Sequence, residues 1–148
     1  MTRIIVAFIG SLCPALLINV DRKNLIWAGL AGMIGRFLND WLLRLYPNAA
    51  LVSVFLGTAA VAIYSEVMAR IRKTPSTIFS IPGVFPLVPG VDAYRTIQSL
   101  TEGNYSAAAT FGVSVVAKAS LIAFGILIVS SVFRKIKLKE RAKAQAGA

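Results

Sequence analysis

Long apolar runs alternate along the chain with short polar links, and the runs have the length of membrane helices. Apolar residues dominate from Ile4 to Val20, Leu25 to Leu45, Ala49 to about Ala69, and Tyr105 to Phe133. Crossing the hydrocarbon core takes about 20 such residues. The links Asp21-Arg22-Lys23-Asn24, Tyr46-Pro47-Asn48 and Glu102-Gly103-Asn104 carry turn chemistry. The first run follows Arg3, as a secretory signal would. Leu17-Ile18-Asn19 lacks the small residues of a cleavage site, so a retained helix is the preferred reading.

A further apolar region, about Thr77 to Leu100, behaves differently. Pro82, Pro86 and Pro89 lack amide hydrogens and clash with the preceding turn. Gly83 and Gly90 permit backbone angles that other residues avoid. A continuous helix is therefore not expected from Ser80 to Gly90. Its neighbours Ile81, Val84, Phe85, Leu87 and Val88 are nevertheless apolar and belong at membrane depth. Irregular backbone is tolerated there only when buried in protein or lining a wet cavity. Broken helices of this kind form substrate sites in transporters, while an interfacial hinge is the plainer alternative. Beyond the break a helix is expected, with Asp92 in its first turn and Arg95 three residues on, spaced to pair.

Composition agrees with a membrane chain. Of 148 residues, 57% are hydrophobic and 15% charged, too little polar surface for a soluble domain of this size. The formal charge of +10 comes from loops and tail, with no basic face interleaved with aromatics, so nucleic acid is not the expected partner. One cysteine, Cys13, and no histidine leave no intramolecular disulfide, histidine triad or His zinc site. No cofactor or metal is expected, and no acid pair or nucleophile–base set suggests an enzyme.

Loop charges set the expected topology. Arg22 and Lys23, then Arg70, Arg72 and Lys73, then the tail from Arg134 onward form three basic groups. The positive-inside rule places all three in the cytoplasm. The expectation is an all-α polytopic membrane bundle of about five crossings, the fourth broken by Pro and Gly. The N-terminus would lie outside, with a membrane domain over residues 1–133 and a basic cytoplasmic tail over 134–148. Ala28 with Gly32, and Ala31 with Gly35, are small pairs four apart that let helices approach closely, within the chain or between subunits. Ionisable groups inside spans are functional candidates by default. Glu66 is a candidate proton carrier or a solvated rim residue. Asp40 with Arg36 reads as a structural ion pair or a site. Lys118 needs an acidic partner, a cavity or a bound anion, unless it snorkels.

The run Ile81-Pro82-Gly83-Val84-Phe85-Pro86-Leu87-Val88-Pro89-Gly90, followed after three residues by Tyr94-Arg95, resembles the signature of the threonine/serine exporter family. The order of features also resembles its small stand-alone membrane subunit. The Ile18-Asn19-Val20 turn precedes Leu25-Ile26-Trp27-Ala28-Gly29, and a long last span ends in a basic tail. The resemblance implies proton-driven export of small amino acids or dicarboxylates across a bacterial inner membrane, with a larger polytopic subunit as partner. Asp92 departs from the family pattern. On this reading Pro82, Gly83, Pro86, Pro89, Gly90, Tyr94, Arg95 and Lys118 line the path of a carboxylate-bearing solute. Arg95 and Lys118 contact its carboxylate, and Glu66 or Asp92 handles protons. A non-transporting scaffold subunit and a self-associating channel are the competing readings.

Overall fold

Most polar links end a helix by a specific backbone device. The computed structural model describes residues 2–146, with side chains for residues 3–136. The helices are α1 (Thr2–Leu17), α2 (Arg22–Leu45), α3 (Ala50–Arg72), α4 (Thr77–Val84), α5 (Gly90–Thr101) and α6 (Tyr105–Ala146), with a 3-10 turn at Phe85–Leu87. No strand occurs among the described residues. Asn19 (φ 56°), Lys73 (φ 53°) and Gly103 (φ 73°) adopt the left-handed conformation after α1, α3 and α5. The next amide then reaches back to a helical carbonyl: Val20 to Ala15, Thr74 to Ala69, Asn104 to Ser99. The Asn104 side chain accepts the Ala107 amide and so caps α6.

The expected spans match these helices closely, with one difference in the broken region. The α-helix runs through Pro82 and Gly83 to Val84 and tightens into the 3-10 turn. Only at Val88 (φ −58°, ψ 133°) does it become extended. Pro89 imposes that conformation, because its ring crowds the residue before it. The anticipated glycine freedom is not what the segment uses either. Neither Gly83 nor Gly90 has a positive φ. Gly83 instead answers a packing demand, since a Cβ there would lie 2.7 Å from Val61 and 2.8 Å from the Ala31 side chain.

Helix α2 is the hub, packing against α1, α3 and α4. Ala28, Ala31, Gly32 and Gly35 are all buried on it, as the small-residue spacing predicts. A Cβ on Gly32 would fall 1.8 Å from Ser11 Oγ of α1, and one on Gly35 would fall 2.4 Å from Val61 of α3. These helices meet almost backbone to backbone, which maximises dispersion contacts where lipid offers no hydrophobic drive. Phe79 and Val61 complete the core, both fully buried.

Helices α4 and α5 advance in the same direction. Phe79 shares a cluster with Met68, Gly83 meets Val61 and Leu87 lies by Gly57, so α4 runs back along α3. Asp92 meets Lys118 and Thr96 lies by Gly112, so α5 runs back along α6. Gly125 against Thr58 and Phe133 against Arg70 make α3 and α6 parallel. The break is therefore a step within one path along the bundle and not a reversal. Two helices are long and apolar enough to cross a membrane, Ala50–Arg72 and Tyr105–Ile136, while the apolar stretches Arg3–Leu17 and Thr77–Leu87 are shorter. The expected tail continues α6 to Ala146; the side chains of Lys137, Lys139, Arg141 and Lys143 lie outside the described residues.

The two signature glycines should separate on substitution. Gly83→Ala forces Val61 or Ala31 aside and is expected to cost about 1–3 kcal/mol. Gly90 has nothing within 4 Å of an added Cβ, so Gly90→Ala should stay within about 0.5 kcal/mol. Thermal unfolding in detergent measures both, and equal shifts would contradict this packing.

Candidate functional site

The break leaves the Pro86 carbonyl without its helical donor. In a continuing helix Pro86 O would accept the Gly90 amide. That amide is turned to Val88 O at 2.8 Å, and α5 starts anew with the Ala93 amide on Pro89 O. Arg36 Nη1 of α2 donates to Pro86 O at 3.3 Å instead. The same guanidinium is anchored by Asp40, one turn on, with Nε 3.1 Å from Oδ1. The pair thus does more than balance charge. It closes a backbone valence that lipid could not satisfy.

Beside this contact lies a cavity of about 200 Å³ between α2, the break, α5 and α6. Arg36, Asn39, Pro89, Gly90, Asp92 and Lys118 supply its polar and turn-forming walls, and Val54 and Leu87 are among its apolar ones. Asn39 is 4% exposed, and its Oδ1 has no hydrogen-bond partner. Such a buried acceptor is costly unless water or a ligand meets it.

Across the cavity, Asp92 Oδ2 accepts from Lys118 Nζ at 2.5 Å and from Ser114 Oγ at 2.9 Å. The two charged side chains are only 18% and 22% exposed. Lys118 therefore finds an acid on the neighbouring helix. The spacing that would pair Asp92 with Arg95 is not used for a direct contact. Arg95 lies over the Phe111 ring at 5.6 Å and is otherwise exposed, the stacking expected of a guanidinium on an aromatic face.

The expected site residues thus divide. Pro89, Gly90, Asp92 and Lys118 come together at the cavity, and Pro86 joins them through Arg36. Pro82 and Gly83 are buried in the core. Tyr94 is 67% exposed on α5 and, like Arg95, does not line the cavity. Glu66 lies at the other end of α3, in a separate basic cavity. Sequence reasoning passed over Asn39 and Ser114 and gave Arg36 too small a part. Asn39 had a visible signal: it extends the small-residue face through Ala28, Gly32 and Gly35 by one more turn, as a polar residue where an apolar one would pack.

An all-helical chain with two apolar helices of membrane length and a shorter apolar helix that breaks off beside a polar cavity has the features of helical membrane transporters. The chain belongs to the threonine/serine exporter family: the family model described as "Threonine/Serine exporter, ThrE" matches residues 3–132. No curated protein and no solved structure matches it. It is a membrane transporter of the threonine/serine exporter type.

The Asp92–Lys118 contact should behave as a coupled pair. Asp92→Asn and Lys118→Gln are each expected to lower the unfolding temperature, and the double variant should lose less than the sum. A double-mutant cycle should return a coupling of about 0.5–3 kcal/mol. Strict additivity would mean that the two side chains do not meet.

Proposed function

We propose that this chain is a subunit of an inner-membrane exporter of small amino acids of the threonine/serine kind, driven by the proton gradient, with its solute path through the cavity beside the break. The observation that carries this reading is the Asp92–Lys118 pair in that cavity. In the absence of solute, Asp92 neutralises Lys118. A zwitterionic solute inserts into the pair, its carboxylate on Lys118 and its ammonium on the deprotonated Asp92, so solute and proton compete for Asp92 and are exchanged across the membrane. The same ammonium also has Asn39 Oδ1, an acceptor without a partner. A dicarboxylate would lack that second match and would have to draw Arg36 from Asp40.

Five crossings with the N-terminus outside fit the distribution of charge. Arg72 donates to Asn24 and to Lys23 O, and Arg70 to Phe133 O. The basic groups around Arg22, Arg70 and Arg134 therefore share one end of the bundle, which suits the cytoplasmic side. A larger membrane subunit as partner fits α5, which packs mainly on α6 and leaves Val91, Tyr94 and Ile97 more than 60% exposed. The same faces would suit a scaffold subunit, and transport separates the two readings.

Proteoliposomes holding this chain, with any co-purifying subunit, and loaded with labelled threonine provide the test. Lys118→Ala should lower efflux about tenfold or more, the effect of losing about 1.4 kcal/mol of interaction. Asp92→Asn should abolish the acceleration produced by an imposed pH gradient, while Glu66→Gln keeps it. Loss of that acceleration in Glu66→Gln alone would move coupling to Glu66. Unchanged flux in Lys118→Ala and Asp92→Asn would overturn the site, and faster efflux of succinate than of threonine would favour dicarboxylates.

A further inference from the structure

A cavity that the transport path does not use lies at the opposite, basic end. It measures about 840 Å³, and Glu66, Arg70, Lys73, Thr74, Ser130 and Arg134 contribute its polar wall. Three cations, from α3, the turn after it and α6, face one carboxylate. Arg70 is already fixed, with its guanidinium 5.0 Å from the Phe133 ring centre and donating to Phe133 O. Lys73 and Arg134 form no ion pair among the described residues. Thr74 Oγ1 is buried without a hydrogen-bond partner. The loop then enters α4 at Ser76 and Thr77, which also line the cavity, and Ser76 makes no side-chain cap. The Phe79 amide bonds to Ser76 O, which leaves the Thr77 and Ile78 amides directed toward the helix start, where an anion is favoured.

The cavity's position decides what kind of anion it suits. Helices α4 and α6 each pack on α3 and not appreciably on each other, so the space between them is open at the side. One to two turns deeper, Ile81 on α4 and Leu127 on α6, in helical phase with the lining residues Thr77, Ser130 and Arg134, are each more than 50% exposed. A basic, hydroxyl-rich pocket above exposed apolar helix surface matches an anionic headgroup joined to acyl chains.

We infer that this cavity binds a phosphate group, carried by an anionic phospholipid whose chains lie over the exposed apolar side chains of α4 and α6. The inference rests on the chain being a membrane protein and is independent of the solute path. Glu66 limits the charge of the pocket and so tunes the affinity.

The test uses the full chain in a neutral detergent, with binding followed by thermal unfolding and by native mass spectrometry. The probes are dioleoyl phosphatidylglycerol, dioleoyl phosphatidylcholine and sodium phosphate. Phosphatidylglycerol should raise the unfolding temperature at concentrations where phosphatidylcholine does not. Lys73→Gln combined with Arg134→Gln should weaken it about tenfold or more, and Glu66→Gln should strengthen it. These are exposed or half-buried positions, so the variants are expected to fold, and unliganded unfolding curves verify that. Equal responses to the two lipids, or undiminished binding in the double variant, would overturn the inference. A response to sodium phosphate equal to that of phosphatidylglycerol would overturn the lipid assignment and leave a soluble phosphate as the ligand.

Discussion

A carbonyl stripped of its helical donor inside a membrane protein must be met by another part of the protein, because lipid cannot meet it. At Pro86 that demand falls on Arg36, and much of the bundle follows from it. Arg36 has to reach the break with its charge balanced, which Asp40 provides from the same helix. Helix α2 has to lie close to α4, which its buried Ala31 and Gly32 allow and which Gly83 matches from the other side. The break is thus held by close packing on one side and by a charged hydrogen-bond donor on the other.

The same break sets the register of everything downstream. Because Val88 is extended and α5 restarts at Gly90, Asp92 enters the first turn of a new helix alongside α6. There it meets Lys118 and Ser114. Two opposite charges in a largely buried setting cost several kcal/mol of desolvation each, which their attraction and added hydrogen bonds only offset. Such a pair gives little net stability, yet removing one partner is severe. That combination suits a contact meant to open when a proton or a competing carboxylate arrives.

The helices, their caps and the close-packed face of α2 were legible because they depend on local chemistry. Asn19, Gly103 and Asn104 mark turns by residue type, and Ala28, Gly32 and Gly35 mark a face by spacing. The break was legible as a region but not as a point. Each proline in the signature counts equally as a breaker, yet Phe85 before Pro86 stays helical and only Val88 before Pro89 becomes extended. The pairing of Asp92 was not legible either. A spacing of three suggested Arg95, whereas the contact made is set by how α5 lies along α6, which local periodicity does not encode. Asn39 shows the middle case, a polar residue visible on an apolar face whose meaning needed the cavity around it.

The central claim is that the cavity beside the break is part of a solute path. Gly90 lines it and has open space around it, and the only cysteine of the chain is Cys13. Gly90→Cys in a Cys13→Ser background therefore places one thiol at the cavity wall. Labelling with a membrane-impermeant maleimide, with and without threonine, is the most direct measurement. The account predicts that the thiol reacts and that threonine slows the reaction in a saturable way. A thiol that is inaccessible from both sides of the membrane, or one whose labelling rate threonine leaves unchanged, would contradict it.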